Sequence, residues 1–210
     1  MEKEFWQDKW QADDIAFHQD QAHPFLEKHL SEFKAGEKAR VFVPLCGKSN
    51  DMLFWAKHRY EVIGLELSPI AAEAFYSENG ISFKQSVTEG FQLFSASQIQ
   101  ILCGDYFSVS ARHIGSVSTV FDRAALIALP PVMRRDYADK MRSLLAAGTE
   151  IFLIALEYEQ DLVKAPPFSI SDEEILELYN SWCNIRLMEK AEAQVKGKPC
   201  FERFYRMEVR

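Results

Sequence analysis

The chain reads as an α/β protein, with a mostly parallel sheet covered by helices on both faces and an antiparallel pair of strands at its carboxyl end. Three observations predict this. Short, continuously apolar runs bounded by turn residues recur as far as residue 156, as in strands buried on both faces. Amphipathic stretches with apolar residues at helix spacing separate them. Past residue 168 the alternation stops, and two strand-like segments follow one another.

Residues 41–45 (Val41-Phe42-Val43-Pro44-Leu45) form the first strand, which ends in Cys46-Gly47-Lys48. A helix follows from Ser49, with Met52, Leu53, Trp55 and Ala56 at helix spacing. Residues 62–67 are the second strand. Ser68-Pro69 then caps and opens a helix that stops near Asn79-Gly80, because proline suits a first helical position whose N–H has no partner. Residues 99–103 are the third strand, closed by Gly104-Asp105, and 117–121 the fourth, ending at Asp122-Arg123. A helix after Pro130-Pro131 carries Tyr137, Met141, Leu144 and Leu145 towards Gly148, and 150–156 is the fifth strand. Ser171-Asp172-Glu173-Glu174 opens one more helix with a capping signature. Residues 184–187 and 201–209 are the closing pair, joined by a polar loop over 192–199.

The 210 residues carry 24 Lys+Arg against 31 Asp+Glu, a formal charge of −7. Domains of roughly 100–200 residues leave room for one, so 1–210 is expected to be a single domain with 1–30 as an N-terminal helical segment. No run approaches the roughly 18 apolar residues of a membrane span. The start, Met1 to Trp6, is acidic and amphipathic, unlike a signal or transit segment. A net-negative chain without a basic block is a poor binder of phosphate backbones. A cytoplasmic protein without nucleic-acid or membrane partners is therefore expected, and a monomer, since no heptad or apolar stripe is present. Cys46, Cys103, Cys183 and Cys200 form no C-x-x-C pair, and the five histidines are scattered, so neither a disulfide nor a metal is expected.

In open α/β sheets, ligands bind outside the carboxyl ends of the strands. Gly47-Lys48-Ser49 resembles the tail of a phosphate loop, but Phe42 stands where that loop needs its first glycine, and no second glycine flanks the turn as a dinucleotide fingerprint requires. Glu66 lies 19 residues after Gly47, where an acid accepts both ribose hydroxyls of a nucleoside cofactor; the alternative is a solvated strand-end glutamate. A ribose acid without a pyrophosphate loop favours S-adenosylmethionine over a nicotinamide dinucleotide, and five parallel strands with a closing hairpin are the sheet of S-adenosylmethionine-dependent methyltransferases. Asp105 and Tyr106 offer a polar group and an aromatic face to an adenine, or else a turn aspartate beside a core tyrosine. Asp122-Arg123 puts a cation at the crevice, or else forms a surface pair. Pro130-Pro131 does not complete the Asn/Asp-Pro-Pro-aromatic motif of amino-group methyltransferases, which disfavours nucleobase amines as acceptors. Phe5, Trp6, Trp10 and Phe17 crowd the N-terminus, and Trp6 and Trp10 share one helix face, as a packed helix or as an aromatic lid over a ligand.

Trp6-Gln7-Asp8-Lys9-Trp10, Ala16-Phe17-His18-Gln19, Val43-Pro44-Leu45-Cys46-Gly47-Lys48-Ser49, Gly64-Leu65-Glu66-Leu67-Ser68, Asp122-Arg123-Ala124-Ala125-Leu126, Pro166-Pro167-Phe168, Cys183-Asn184-Ile185-Arg186 and Phe201-Glu202-Arg203-Phe204-Tyr205 together resemble the thiopurine S-methyltransferases, in order and over nearly the whole chain. The Pro-Leu-Cys-Gly-Lys turn is the specific marker, and the short N-terminus and short loop over 192–199 resemble the bacterial branch. The resemblance implies a class I, Rossmann-like methyltransferase sheet. It implies S-adenosylmethionine contacts at Trp10, Leu45, Glu66 and Arg123, with Tyr106 beside the adenine, Asp105 as a further cofactor contact and Phe17 beside the thiopurine. The family's arginine in the loop before the last strand has no counterpart, since that loop holds only Lys196 and Lys198.

The chemistry so implied is an in-line displacement of methyl from a sulfonium by the sulfur of an aromatic or heterocyclic thiol, leaving S-adenosylhomocysteine. Alignment and exclusion of water are the main tasks. Such thiols ionise near neutral pH, so no catalytic acid or base is assigned. Arg123 is the candidate for electrostatic support, with Trp10 and Phe17 closing an apolar lid. Two other readings stay open, methylation of reduced selenium or tellurium species or of halide, and an S-adenosylmethionine-binding protein without activity.

Overall fold

The computed structural model describes residues 3–15, 18–33 and 39–210. It divides into two compact units, one ending at Ser118 and the other comprising Thr119–Arg210.

The first unit contains α1 (Lys3–Gln11), α2 (Pro24–Lys28), β1 (Arg40–Pro44), α3 (Asp51–Lys57), β2 (Glu61–Glu66), α4 (Pro69–Glu78), β3 (Lys84–Thr88), β4 (Phe91–Ala96), β5 (Ile99–Cys103) and α5 (Ala111–Ile114). Its strands lie in the order β3-β4-β5-β2-β1. β1, β2 and β5 are parallel, with Val43 opposite Gly64 and Gly64 opposite Ile101. Their side chains are buried along almost their whole length, which is why they read as uninterrupted apolar runs. Ser68 occupies the cap position of α4, but its hydroxyl makes no cap bond, and Pro69 alone supplies the expected start.

The antiparallel hairpin β3–β4 was not expected. Every side chain of β3 from Lys84 to Val87 is exposed, so no apolar alternation marks it. Only Phe91 and Phe94 of β4 are buried, and pairing with β5 makes the strand.

The second unit contains β6 (Thr119–Arg123), α6 (Pro131–Leu144), β7 (Glu150–Glu157), α7 (Asp172–Tyr179), β8 (Cys183–Val195) and β9 (Lys198–Val209), in the strand order β6-β7-β9-β8. β6 and β7 are parallel, whereas β9 runs antiparallel to both β7 and β8. The α7 cap forms as its sequence suggests, with Ser171 Oγ accepting the Glu174 N–H at 3.2 Å. Arg134, 1% exposed, ties α6 to α7 by two bonds to the Glu174 carboxylate of 2.6 and 2.7 Å.

The expected loop over 192–199 is instead strand and tight turn. Val195 pairs with Lys198, and only Lys196 and Gly197 lie between them, both at positive φ (46° and 74°). Two successive residues at positive φ match the right-handed twist of a hairpin. The polar side chains of Glu192 and Gln194 concealed the strand, since its ladder is satisfied by backbone alone. All four cysteines are buried thiols. Among the described residues no helix is long and apolar enough to cross a membrane.

Candidate functional site

Because β1 and β2 are parallel neighbours with Pro44 opposite Leu65, their carboxyl ends emerge side by side. The chain leaves β1 through a turn in which Leu45 and Gly47 both take positive φ, 44° and 51°. For leucine that conformation costs about 1–3 kcal/mol, and such strain concentrates at ligand clamps. The Cys46 N–H donates to Leu65 O at 3.0 Å, which folds the turn back onto β2. Gly47 N–H then donates to Glu66 Oε2 and Ser68 N–H to Glu66 Oε1, both at 2.8 Å.

Glu66 is thus a buried carboxylate, 6% exposed, cradled by backbone donors. Burial lifts its carboxyl above the usual range, against the pull of the Ser68, Gly47 and Leu67 N–H groups. A carboxylate offers about four lone-pair sites, so these donors leave it acceptor capacity for a ribose hydroxyl. This donor set fits the nucleoside part of S-adenosylmethionine. The solvated strand-end glutamate is ruled out by the burial.

The floor of this cradle was not anticipated. A Cβ on Gly64 would lie 2.8 Å from Cys46 Sγ and 3.1 Å from Met52 Sδ, so glycine lets the turn and α3 close on β2. A glycine inside a buried strand marks such a close approach, and the signal was there to be used. Burial, and then the Glu66 carboxylate, push the Cys46 thiol well up, which leaves it neutral and inert. Lys48, the residue that resembled a phosphate ligand, is buried and donates to both oxygens of Glu78 at 2.6 and 2.7 Å.

Trp10, buried on α1, packs against the turn, with its Cζ2 3.2 Å from where a Gly47 Cβ would stand. At the other end of α1, Lys3 pairs with Asp105 at 2.9 Å. The N-terminal helix therefore reaches from the turn after β1 to the turn after β5. Asp105 caps the short 3-10 turn Tyr106–Ser108, accepting from Phe107 N–H at 3.2 Å and Ser108 Oγ at 3.3 Å. Burial raises its carboxyl, but Lys3, the Phe107 N–H and Ser108 outweigh that and leave it below the ordinary value. Tyr106 is buried, edge-on to Phe107 with ring centroids 5.4 Å apart. The first unit thus gathers Trp10, Leu45, Glu66, Asp105 and Tyr106 along the carboxyl ends of its parallel strands. Phe17 lies outside the described residues.

Arg123 belongs to the second unit, as the last residue of β6, and is partly buried. The surface Asp–Arg pair weighed from sequence does not exist in that form, because Asp122 is 1% exposed and turned inward. Its Oδ2 accepts the Tyr137 hydroxyl at 2.7 Å and its Oδ1 the Leu126 N–H at 3.2 Å. Beyond it the segment 166–168 is tied to the same loop, with Phe168 N–H donating to Ile127 O at 2.7 Å. Lys196, in the hairpin turn, donates to Lys164 O and Pro166 O at 2.8 and 2.7 Å, and so steadies that segment.

A family model described as thiopurine S-methyltransferase matches residues 1–205. A thiopurine S-methyltransferase of Nitrosospira multiformis is 41% identical over 190 residues, covering 90% of this chain and 86% of its own. One of Pseudomonas putida is 37% identical over 214 residues, covering 99% of each. Among solved structures, an S-adenosylmethionine-dependent methyltransferase of Anabaena variabilis superposes with a TM-score of 0.67 at 16% identity, covering 99% of this chain and 95% of that one. A Burkholderia thailandensis 1,6-didemethyltoxoflavin N1-methyltransferase, solved with S-adenosylhomocysteine, gives 0.67 at 11% identity, covering 99% and 87%. These two likenesses bear on the fold, which is that of the class I methyltransferases.

Proposed function

The chain belongs to the thiopurine S-methyltransferase family, and from that premise we propose that Trp10, Leu45, Glu66, Asp105 and Tyr106 hold S-adenosylmethionine while Arg123 supports the thiol that receives its methyl group. As a member it is an S-adenosylmethionine-dependent S-methyltransferase. The cofactor supplies a methyl group already activated on a sulfonium. The chain's own part is to bind, align and keep water out.

The observation that carries the site assignment is the Glu66 cradle, a buried carboxylate held by backbone donors with acceptor capacity left over. Trp10 supplies an aromatic wall against the Gly47 turn, Leu45 brings strained backbone close to the ligand, and Tyr106 offers its ring to the adenine. Phe17 is assigned to the aromatic acceptor through the family resemblance. Arg123, at the carboxyl end of β6, stabilises the thiolate in our reading, and no acid or base is assigned because aromatic thiols ionise on their own. We take 1–210 as one methyltransferase domain with 1–30 as its lid, monomeric and cytoplasmic, acting on a small-molecule thiol. The absence of a heptad, a basic block or an apolar stripe in the sequence supports this.

The test is methyl transfer from S-adenosylmethionine to a panel of thiopurines, other aromatic thiols, reduced selenium and tellurium species and halide, with wild type, Arg123→Lys and Arg123→Ala. Turnover on aromatic thiols is expected, and it should fall in Arg123→Lys, which keeps the charge but loses the planar fork. Wild-type turnover in both variants would remove Arg123 from the site. Transfer confined to selenium, tellurium or halide would move the acceptor to the inorganic class, and no transfer at all would leave a binding protein.

A further inference from the structure

Asp122 and Tyr137 have no part in the chemistry above, yet Asp122 immediately precedes Arg123 on β6 and Tyr137 is bonded to it. The Asp122 carboxylate accepts from the Tyr137 hydroxyl of α6 and from the Leu126 N–H, and the Ala125 N–H also turns towards it. The chain therefore folds back over this side chain through residues 122–126, and Ala124 in that loop takes a φ of 66°. An alanine holds such a conformation only where its surroundings over-determine it. Here the carboxylate does so, gathering the backbone donors of the two residues that follow the strained one, Ala125 and Leu126.

We propose that Asp122, held by Tyr137, is the positioning residue that sets the direction in which Arg123 leaves β6, so that Arg123 serves the acceptor only while Asp122 is ionised. This rests on the reading that Arg123 supports the acceptor. All the groups that reach Asp122 are donors, two N–H and one O–H. A neutral acid could keep Tyr137 only by reversing that bond, donating its own proton to the tyrosine oxygen, and its hydroxyl oxygen would hold the backbone donors poorly. Protonation therefore loosens the loop.

Burial pushes the Asp122 carboxyl up to about 6, against the pull of Tyr137, Leu126 and Ala125. The titratable groups facing it are Tyr137 from α6 and Tyr179 from α7. Burial, and then Asp122 itself, hold Tyr179 neutral well above this range. The change near neutrality thus belongs to Asp122.

The experiment is the pH profile of kcat for wild type and Tyr137→Phe on one aromatic thiol, with S-adenosylhomocysteine titrations alongside. Ionisation of the thiol is common to both proteins and cancels between them. Wild-type kcat is expected to fall with a midpoint near 6. Deleting a hydroxyl that favours the charged form should move that midpoint up by about one unit, with cofactor affinity unchanged. Asp122→Asn should lack this limb and show a reduced kcat at every pH; if it does not fold, the Tyr137→Phe profile decides. Superimposable profiles for Tyr137→Phe and wild type, with turnover lost in Arg123→Ala, would overturn the positioning role and leave the Arg123 reading standing. Wild-type turnover in Arg123→Ala would instead remove that reading itself.

Discussion

Glu66 and Asp122 look alike in the sequence, each an acid at the end of an apolar strand, and alike in burial, each pushed upward by desolvation. Their cradles differ. Glu66 is held by backbone N–H groups of its own turn and the one beside it, and no side chain is needed to orient it. Asp122 takes a tyrosine hydroxyl from α6 and folds its own following loop around itself. Each carboxylate takes as many donors as the other, but Glu66 stays 6% exposed and open to a ligand, whereas Asp122, 1% exposed, organises its own loop and acts through a neighbour. Two acids at equivalent strand ends thus do different work, and only their partners reveal which.

The sharpest way to break this contrast is cofactor titration of the two variants. Glu66→Ala should weaken S-adenosylhomocysteine binding by roughly 10- to 150-fold, the equivalent of about 1.5–3 kcal/mol for a charge-assisted contact, with the far-ultraviolet dichroism retained. Asp122→Asn should leave the dissociation constant near wild type. Equal losses in the two would erase the distinction.

Packing under the Glu66 cradle gives the next effect. Gly64→Ala puts a Cβ 2.8 Å from Cys46 Sγ, and overpacking of this kind costs about 1–3 kcal/mol, read from urea unfolding. Adding Cys46→Ala should restore part of that loss, because the two sites share one contact. Strict additivity would mean that the glycine is needed for something other than the thiol.

A smaller effect separates the roles by sign. Asp122 binds its proton more tightly folded (about 6) than at the ordinary 3.8. Between those values the folded state therefore holds more protons than the unfolded one, and the contribution of Asp122 to stability rises as pH falls through about 6. The difference in unfolding free energy between wild type and Asp122→Asn should shift in favour of wild type by about 1 kcal/mol from pH 7 to pH 5. Turnover is expected to fall over that same interval. A carboxylate serving only the fold would not lower activity where it adds stability.

The smallest effect concerns α1. Lys3→Met removes an ion pair with an exposed lysine and should leave the melting temperature nearly unchanged, yet raise amide exchange in α1. Exchange over residues 5–17 is expected to slow when S-adenosylhomocysteine binds, as the lid closes on its ligand. Equal protection with and without it would make α1 a fixed structural helix.

Much of the fold was legible because its parallel strands are buried on both faces, so that β1, β2, β5 and β7 announce themselves by composition alone. The position of Glu66 followed from the same signal, since strand ends locate the ligand side of such a sheet. The hairpin β3–β4 and the outer half of β8 were illegible for the opposite reason. Their side chains face solvent on much of their length, and backbone pairing with a neighbour needs no apolar residue to record it.

Local sequence thus determined the class of the fold, the family, and which acids and aromatics stand at the strand ends, because strand burial and turn chemistry act over a few residues. Which donors close on each acid was decided only in three dimensions. Tyr137 reaches Asp122 from 15 residues away, Gly47 reaches Glu66 across 19, and Lys3 reaches Asp105 from the far end of the first unit. The free energy of a buried charge depends on the groups that surround it and on the water they exclude, and spacing along the chain records neither.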